Sequence, residues 1–176
     1  LRNDLYRRDF TINAMAISLT QHNFGELIDF FGGLRDINER QIRILHENSF
    51  LDDPTRILRA VRFEKRFNFK MNFHTQRLIK AAGKYHMIER TGRHRIRDEM
   101  ILMLNEPSPY SVIKRLNDLY GLKFISPKAV FTKAHQMIFF EIEKAIRWYK
   151  GLPTKRALDE WLVYLMAIID KLKFSE

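Results

Sequence analysis

Asp52-Asp53-Pro54-Thr55-Arg56-Ile57-Leu58-Arg59-Ala60-Val61-Arg62-Phe63 marks the point where the chain turns from mixed structure to helix. Pro54 suits a first helical turn, and the two acids before it suit the positive end of a helix dipole. At about 100° per residue, Ile57, Ala60, Val61, Phe63 and Phe67 share one broad face, while Arg59, Arg62 and Arg66 lie within about 60° of one another opposite it. Taken alone, this is an amphipathic helix with an acidic start and a solvated arginine face. Asp53 and Arg56 admit a second reading, because helical residues three apart are neighbours and can point at one planar base. A carboxylate accepts from the exocyclic amine of cytosine or adenine while a guanidinium donates to the adjacent unprotonated ring nitrogen. Uracil and guanine reverse that pattern and leave both protein groups unpaired, which a buried polar site rejects strongly. Arg59 and Arg62, farther along, add positive charge for phosphates.

Downstream the helical pattern continues, over Thr75–Ala82, His94–Asn105, Tyr110–Tyr120, Thr132–Lys150 and Lys155–Leu172, with breaks at Gly83, Gly92, Pro107–Pro109, Gly121, Pro127 and Gly151–Pro153. The last two helices, rich in Phe139, Phe140, Ile146, Trp148, Trp161, Leu165, Ile168 and Ile169, are expected to pack as an antiparallel pair. Upstream, residues 10–16 start a short helical turn. Ala14–Leu19 and Gly25–Phe31 read as a hairpin around Thr20–Asn23, followed by a short helix Leu34–Arg40 and a third strand Gln41–Leu45. After that strand, β character is expected to disappear. The fold class is therefore mainly α, a small α+β part over about residues 1–48 followed by an all-helical body.

The composition fits a folded protein: 176 residues, 45% hydrophobic and 30% charged. No run of 18 apolar residues occurs, so no transmembrane helix is expected. Zero cysteines exclude disulfides and thiolate metal sites. The net charge of +10 is uneven: residues 1–70 carry 12 Lys and Arg against 10 acids, residues 71–105 carry 7 against 3, and residues 106–176 carry 12 against 8. The first region is balanced but arginine-rich, which suits fixed hydrogen-bond geometry, and the later ones suit a polyanion such as RNA. Lys84, Arg90, Arg93, Arg95 and Arg97, with His86 and His94, read either as a solvated basic loop and helix start or as an RNA-backbone contact. Trp148, Tyr149 and Trp161 fit the core better than a stacking platform. Ser18, Ser49 and Ser108 have no nucleophile context, and His46-Glu47 lacks the second His of a zinc-protease helix.

A second block, Arg7-Arg8-Asp9-Phe10-Thr11-Ile12-Asn13-Ala14, reads by itself as a surface salt-bridge cluster. Its functional reading has Arg8 on phosphate oxygens, Asp9 accepting from a ribose hydroxyl, and Asn13 holding the turn or touching the triphosphate. With Asp29-Phe30-Phe31-Gly32-Gly33 and then the Asp52–Phe63 block, in this order, the chain resembles the class II CCA-adding enzyme and bacterial poly(A) polymerase family. The resemblance is clear over about residues 4–105. It implies a tRNA nucleotidyltransferase that adds C, A or both to the tRNA 3′ end from CTP and ATP, without a nucleic-acid template. Its expected partner is the tRNA 3′ acceptor end and its expected compartment the cytoplasm. The division implied is the end of a nucleotidyltransferase head at 1–48, a helical neck at 49–106 and an RNA-binding helical body at 107–176.

Carried over by position, Arg8, Asp9, Asn13, Asp53, Arg56, Arg59 and Arg62 are the expected nucleotide-binding residues, and Lys84, Arg90, Arg93, Arg95 and Arg97 the expected RNA contacts. Asp52 stands where many members have Glu, and Pro54 lies inside the motif at a helix start. The family's glycine-rich loop and Asp-x-Asp metal pair belong upstream of the first block. Asp29 and Asp36 do not replace that pair, and Asp29 reads as a strand-end or turn residue. Mg²⁺ is therefore expected on carboxylates outside this chain, which opens at Leu1-Arg2-Asn3-Asp4 like the middle of a longer protein; alone, it is expected to be inactive. The alternatives are a poly(A) polymerase and a non-catalytic RNA-binding helical module.

Overall fold

The structure, a computed structural model, describes residues 1–127, 129, 131–153 and 156–169. A short helix α1 (Arg2–Tyr6) leads through a 3-10 turn, Thr11–Asn13, into the antiparallel hairpin of β1 (Met15–Ile17) and β2 (Leu27–Asp29), in the register Met15↔Asp29 to Ile17↔Leu27. At the end of β2 the Asp29 carboxylate accepts from the backbone N–H groups of Phe31, Gly32, Gly33 and Leu34, at 2.8–3.2 Å. It thereby anchors the start of α2 (Gly33–Asn38), which agrees with its reading as a strand-end residue. Burial opposes the charged carboxylate, but the four N–H donors outweigh it and hold the Asp29 pKa below its ordinary value of 3.8. Gly32 sits at φ 78°, and a Cβ on Gly33 would lie 2.3 Å from the Thr11 carbonyl, so both glycines of the motif are dictated by backbone geometry.

β3 (Gln41–Ile42) pairs in parallel with β4 (Lys70–Met71). This second sheet departs from the expected loss of β character after residue 45. A two-residue strand carries no detectable period, and it forms because Asn68, at φ 52°, reverses the chain after the central helix. α3 (Ser49–Asp52) and that central helix, α4 (Thr55–Arg66), meet at Asp53-Pro54. Around α4 stand α5 (Phe73–Lys84), α6 (Arg93–Leu104) and α7 (Pro109–Leu119), followed by α8 (Lys133–Lys150) and α9 (Glu160–Ile169).

α4 is buried nearly all round: Ile57, Leu58, Ala60 and Val61 are fully excluded from solvent, whereas Phe67, expected inside, is 45% exposed just past the helix end. With α6 and α7 against it, even Arg62 and Glu64 are buried, and Glu64 is paired with Arg115 at 2.6 Å. α5 starts earlier than its hydrophobic pattern because the Asn72 side chain caps Thr75 N–H at 2.8 Å, and it runs through Gly83. The pair α8 and α9 is antiparallel, since Lys150 meets Glu160 at 2.7 Å and Phe139 packs on Tyr164 at 5.0 Å between ring centroids. α9 begins at Glu160 rather than 155, and residues 155 and 170–172 of the expected helix lie outside the described residues. Trp148 is a correction: it is 68% exposed, being about 200° around α8 from the buried Ile146. Trp161 does pack against the core. Among the described residues, no helix is long and apolar enough to cross a membrane.

Candidate nucleotide-binding site

A cleft of about 470 Å³ is lined by Arg8, Asp9, Asn13, Asp53, Arg56 and Arg59. Residues some 40 positions apart in sequence thus share one wall, because the block following α1 lies against the N-terminal end of α4. Asp53 is not within a helix as its spacing suggests. It is extended (φ −150°, ψ 97°), between α3 and α4. Its Oδ1 accepts from the Thr55 N–H at 3.0 Å and the Thr55 hydroxyl at 2.6 Å, and Oδ2 from Arg95 at 2.5 Å. A carboxylate has about four acceptor positions, so one remains. Arg56 donates to the Ser49 hydroxyl at 2.8 Å and carbonyl at 3.4 Å and to the Arg7 carbonyl at 2.7 Å, which leaves two of its five N–H donors. Both side chains are held by the protein, and each keeps capacity for a ligand.

Asp9 is 7% exposed and fully engaged. Oδ1 accepts from Phe10 N–H and the Asn13 amide, both at 2.9 Å, and Oδ2 from two N–H groups of Arg59 at 2.7 and 2.5 Å. Four donors exhaust its acceptor positions, so Asp9 aims Arg59 and Asn13 holds the turn. That leaves no lone pair for the expected ribose hydroxyl. Arg59 also meets Glu99 at 3.1 Å. Burial pulls the Arg59 pKa down, but the two carboxylates outweigh it and keep it above its ordinary value, so this cation is permanent. Among the described residues the Arg8 side chain meets only Asp4, at 3.6 Å and exposed, and it is the least committed cation of the cleft.

Arg62 is absent from the cleft. It is 4% exposed, with two N–H groups 3.2 Å from Glu99 and another 3.7 Å from Glu106, and its guanidinium lies 4.7 Å from the centre of the Phe63 ring. The expected solvated arginine face of α4 is covered by α6 at Arg59 and Arg62, which Glu99 spans, while Arg66 stays exposed. Sequence reading missed Glu99 and Glu106; the signal was the acids on and just past the helix Arg93–Leu104, whose roughly three turns could lie against the arginines of α4. Arg95, expected on RNA, binds Asp53, while Arg97 pairs with Asp98 at 2.9 Å. Arg90 and Arg95 line a second cleft of about 370 Å³ with Phe50, Leu51, Pro54 and Met87; Arg93 and Arg97 edge a third, of about 440 Å³, beside Trp161. Lys84 is exposed at the end of α5.

Residues 1–43 match the Poly A polymerase head domain. Over 98% of its length the chain is 42% identical to an A-adding tRNA nucleotidyltransferase of Geobacter sulfurreducens, and it spans 20% of that protein. A solved complex of a CCA-adding enzyme with ATP superposes with a TM-score of 0.90 at 42% identity, covering 98% of this chain and 40% of that one. The Thermotoga maritima CCA-adding enzyme complexed with tRNA-CCA gives 0.87 at 43% identity, covering 96% and 40%. Over nearly its whole length the chain is thus similar to A-adding and CCA-adding tRNA nucleotidyltransferases, of which it spans less than half.

Proposed function

We propose that the protein to which this chain belongs is a tRNA nucleotidyltransferase that adds A, with or without C, to the tRNA 3′ end, using ATP and CTP, in the cytoplasm. The chain supplies base selection and part of the triphosphate grip. The observation that carries this reading is the convergence of Asp53 and Arg56 with Arg8 and Arg59 on one cleft. The remaining lone pair of Asp53 accepts from the exocyclic amine of adenine or cytosine, and the remaining N–H donors of Arg56 reach the adjacent ring nitrogen. Arg8 and Arg59 face the phosphates, with Asp9, Asn13 and Glu99 setting Arg59. Arg62 stabilises that setting from behind and touches no nucleotide.

Residues 1–48 are the end of the head, 49–106 the neck and 107–176 the body; Lys84, Arg90, Arg93 and Arg97 carry RNA contacts. Arg95 acts first on Asp53. We take Mg²⁺ to be held by carboxylates outside this chain, because Asp29 is committed to four backbone N–H groups and Asp36 to Thr11 and Arg43. In the full-length enzyme, Asp53→Ala and Arg56→Ala are expected to lower ATP incorporation and to erase discrimination against UTP and GTP. Unchanged discrimination would defeat the assignment. Primers ending before C, after C and after CC separate A addition from CCA addition, since the Geobacter relative is A-adding and the two structural relatives are CCA-adding.

A further inference from the structure

Among the described residues, α5 is the only helix of ten or more residues that carries no acid, and its outer face carries cations: Phe73-His74-Thr75-Gln76-Arg77-Leu78-Ile79-Lys80-Ala81-Ala82-Gly83-Lys84. Thr75, Ile79 and Ala82 face the core. Phe73, Arg77, Lys80 and Lys84, at spacings of four, three and four, fall within about 60° of one another on the opposite side. Phe73 is 82% exposed, an aromatic ring held out in water beside that row. On other helices several exposed cations are paired locally, Lys114 with Asp118, Lys144 with Glu141 and Arg147 with Glu143, and those left over among the described residues, such as Lys65, Arg93 and Lys133, stand singly rather than in a row. On α5, Arg77 bonds only His74, at 3.2 Å, and Lys80 and Lys84 have no ion-pair partner among the described residues. At the start of the helix Glu47 lies 3.8 Å from His74.

An unneutralised cation row costs self-repulsion unless a polyanion meets it. We propose that this face of α5 is an RNA-binding surface, separate from the nucleotide cleft, on which Arg77, Lys80 and Lys84 follow the phosphodiester backbone of the tRNA and Phe73 stacks on an unpaired base. From Arg77 to Lys84 the axial rise is about 10 Å, enough to meet two successive phosphates. The cations give affinity without sequence preference, and an exposed ring beside them is the usual partner for a splayed base. The proposal rests on the reading of the enzyme as acting on tRNA, and extends it to a helix outside the site.

Its test uses the full-length enzyme and unmodified tRNA, with binding measured from 50 to 300 mM salt. The double variant Arg77→Gln/Lys80→Gln is expected to bind tRNA about tenfold more weakly or worse at the lowest salt, and the slope of log affinity against log salt is expected to shrink by about 2. Phe73→Leu, which keeps an apolar side chain but removes the π-face, should weaken binding about fivefold with the slope unchanged. With saturating tRNA, the KM for ATP should stay at the parent value in both. Unchanged tRNA affinity and slope in the double variant would overturn the proposal, and so would weaker binding at an unchanged slope, which marks general damage. A parent enzyme that neither binds nor extends tRNA would instead defeat the functional reading itself.

Discussion

Glu99 does not line the cleft, yet it helps to hold Arg59, one of the cleft's three arginines. Its two oxygens hold Arg59 at 3.1 Å and Arg62 at 3.2 Å, in surroundings where Glu99 and Arg62 side chains are 12% and 5% exposed. Removing one member of a buried charge group leaves the others without compensation, which costs far more than the intact group contributes. Glu99→Ala is therefore expected to lower stability by about 3–5 kcal/mol, measurable as a drop in the urea midpoint at constant slope. Glu99→Gln keeps an oxygen for one arginine and should lose less. The same variants should raise the KM for ATP in the full-length enzyme, because Arg59 would then be aimed by Asp9 alone. Arg62 shows why residue types alone mislead: an arginine on a helix that begins with acids looked like a phosphate ligand, and only the approach of α6 turned it into a buried ion pair.

Among the elements, α2 depends most visibly on a single side chain. Four backbone N–H groups at its start converge on Asp29, and their donation keeps the carboxyl acidic. Since the folded value lies below 3.8, the ionised group adds stability above about pH 4, and that contribution is lost as pH falls through the unfolded value towards the folded one. Asp29→Asn removes charge and one acceptor oxygen, and is expected to cost about 1 kcal/mol at pH 7. Denaturant titrations at pH 7 and pH 3 check the sign: the loss between them should be smaller in the variant than in the parent. The hairpin, α2 and the later helices were legible in the sequence because each is long enough to show a period or carries turn residues between apolar runs. α3, β4 and the Asn72 cap were not, being two- to four-residue features whose formation follows from what they pack against.

Across the whole molecule the protection of the backbone should follow α4. Its Ile57, Leu58, Ala60 and Val61 are fully excluded from solvent, while the hairpin exposes Ile17 at 61% and Leu27 at 42%. Amide hydrogen exchange is expected to be slowest in α4 and the facing turns of α6 and α7, and fastest in β1 and β2; equal rates would show that the small N-terminal part unfolds only with the helices. The two motif blocks identified the candidate site from sequence because a carboxylate and a guanidinium have fixed hydrogen-bonding complements wherever they sit, and the apolar periodicity of the later segments determined the helical body. The pairings of those groups, with Asp9 saturated, Arg62 buried, Arg95 on Asp53 and Trp148 left in water, came only with the tertiary structure. They depend on which helices meet at contact distance, and the strength of a charge pair is set by its separation and by the water excluded around it, neither of which a linear order of residues contains.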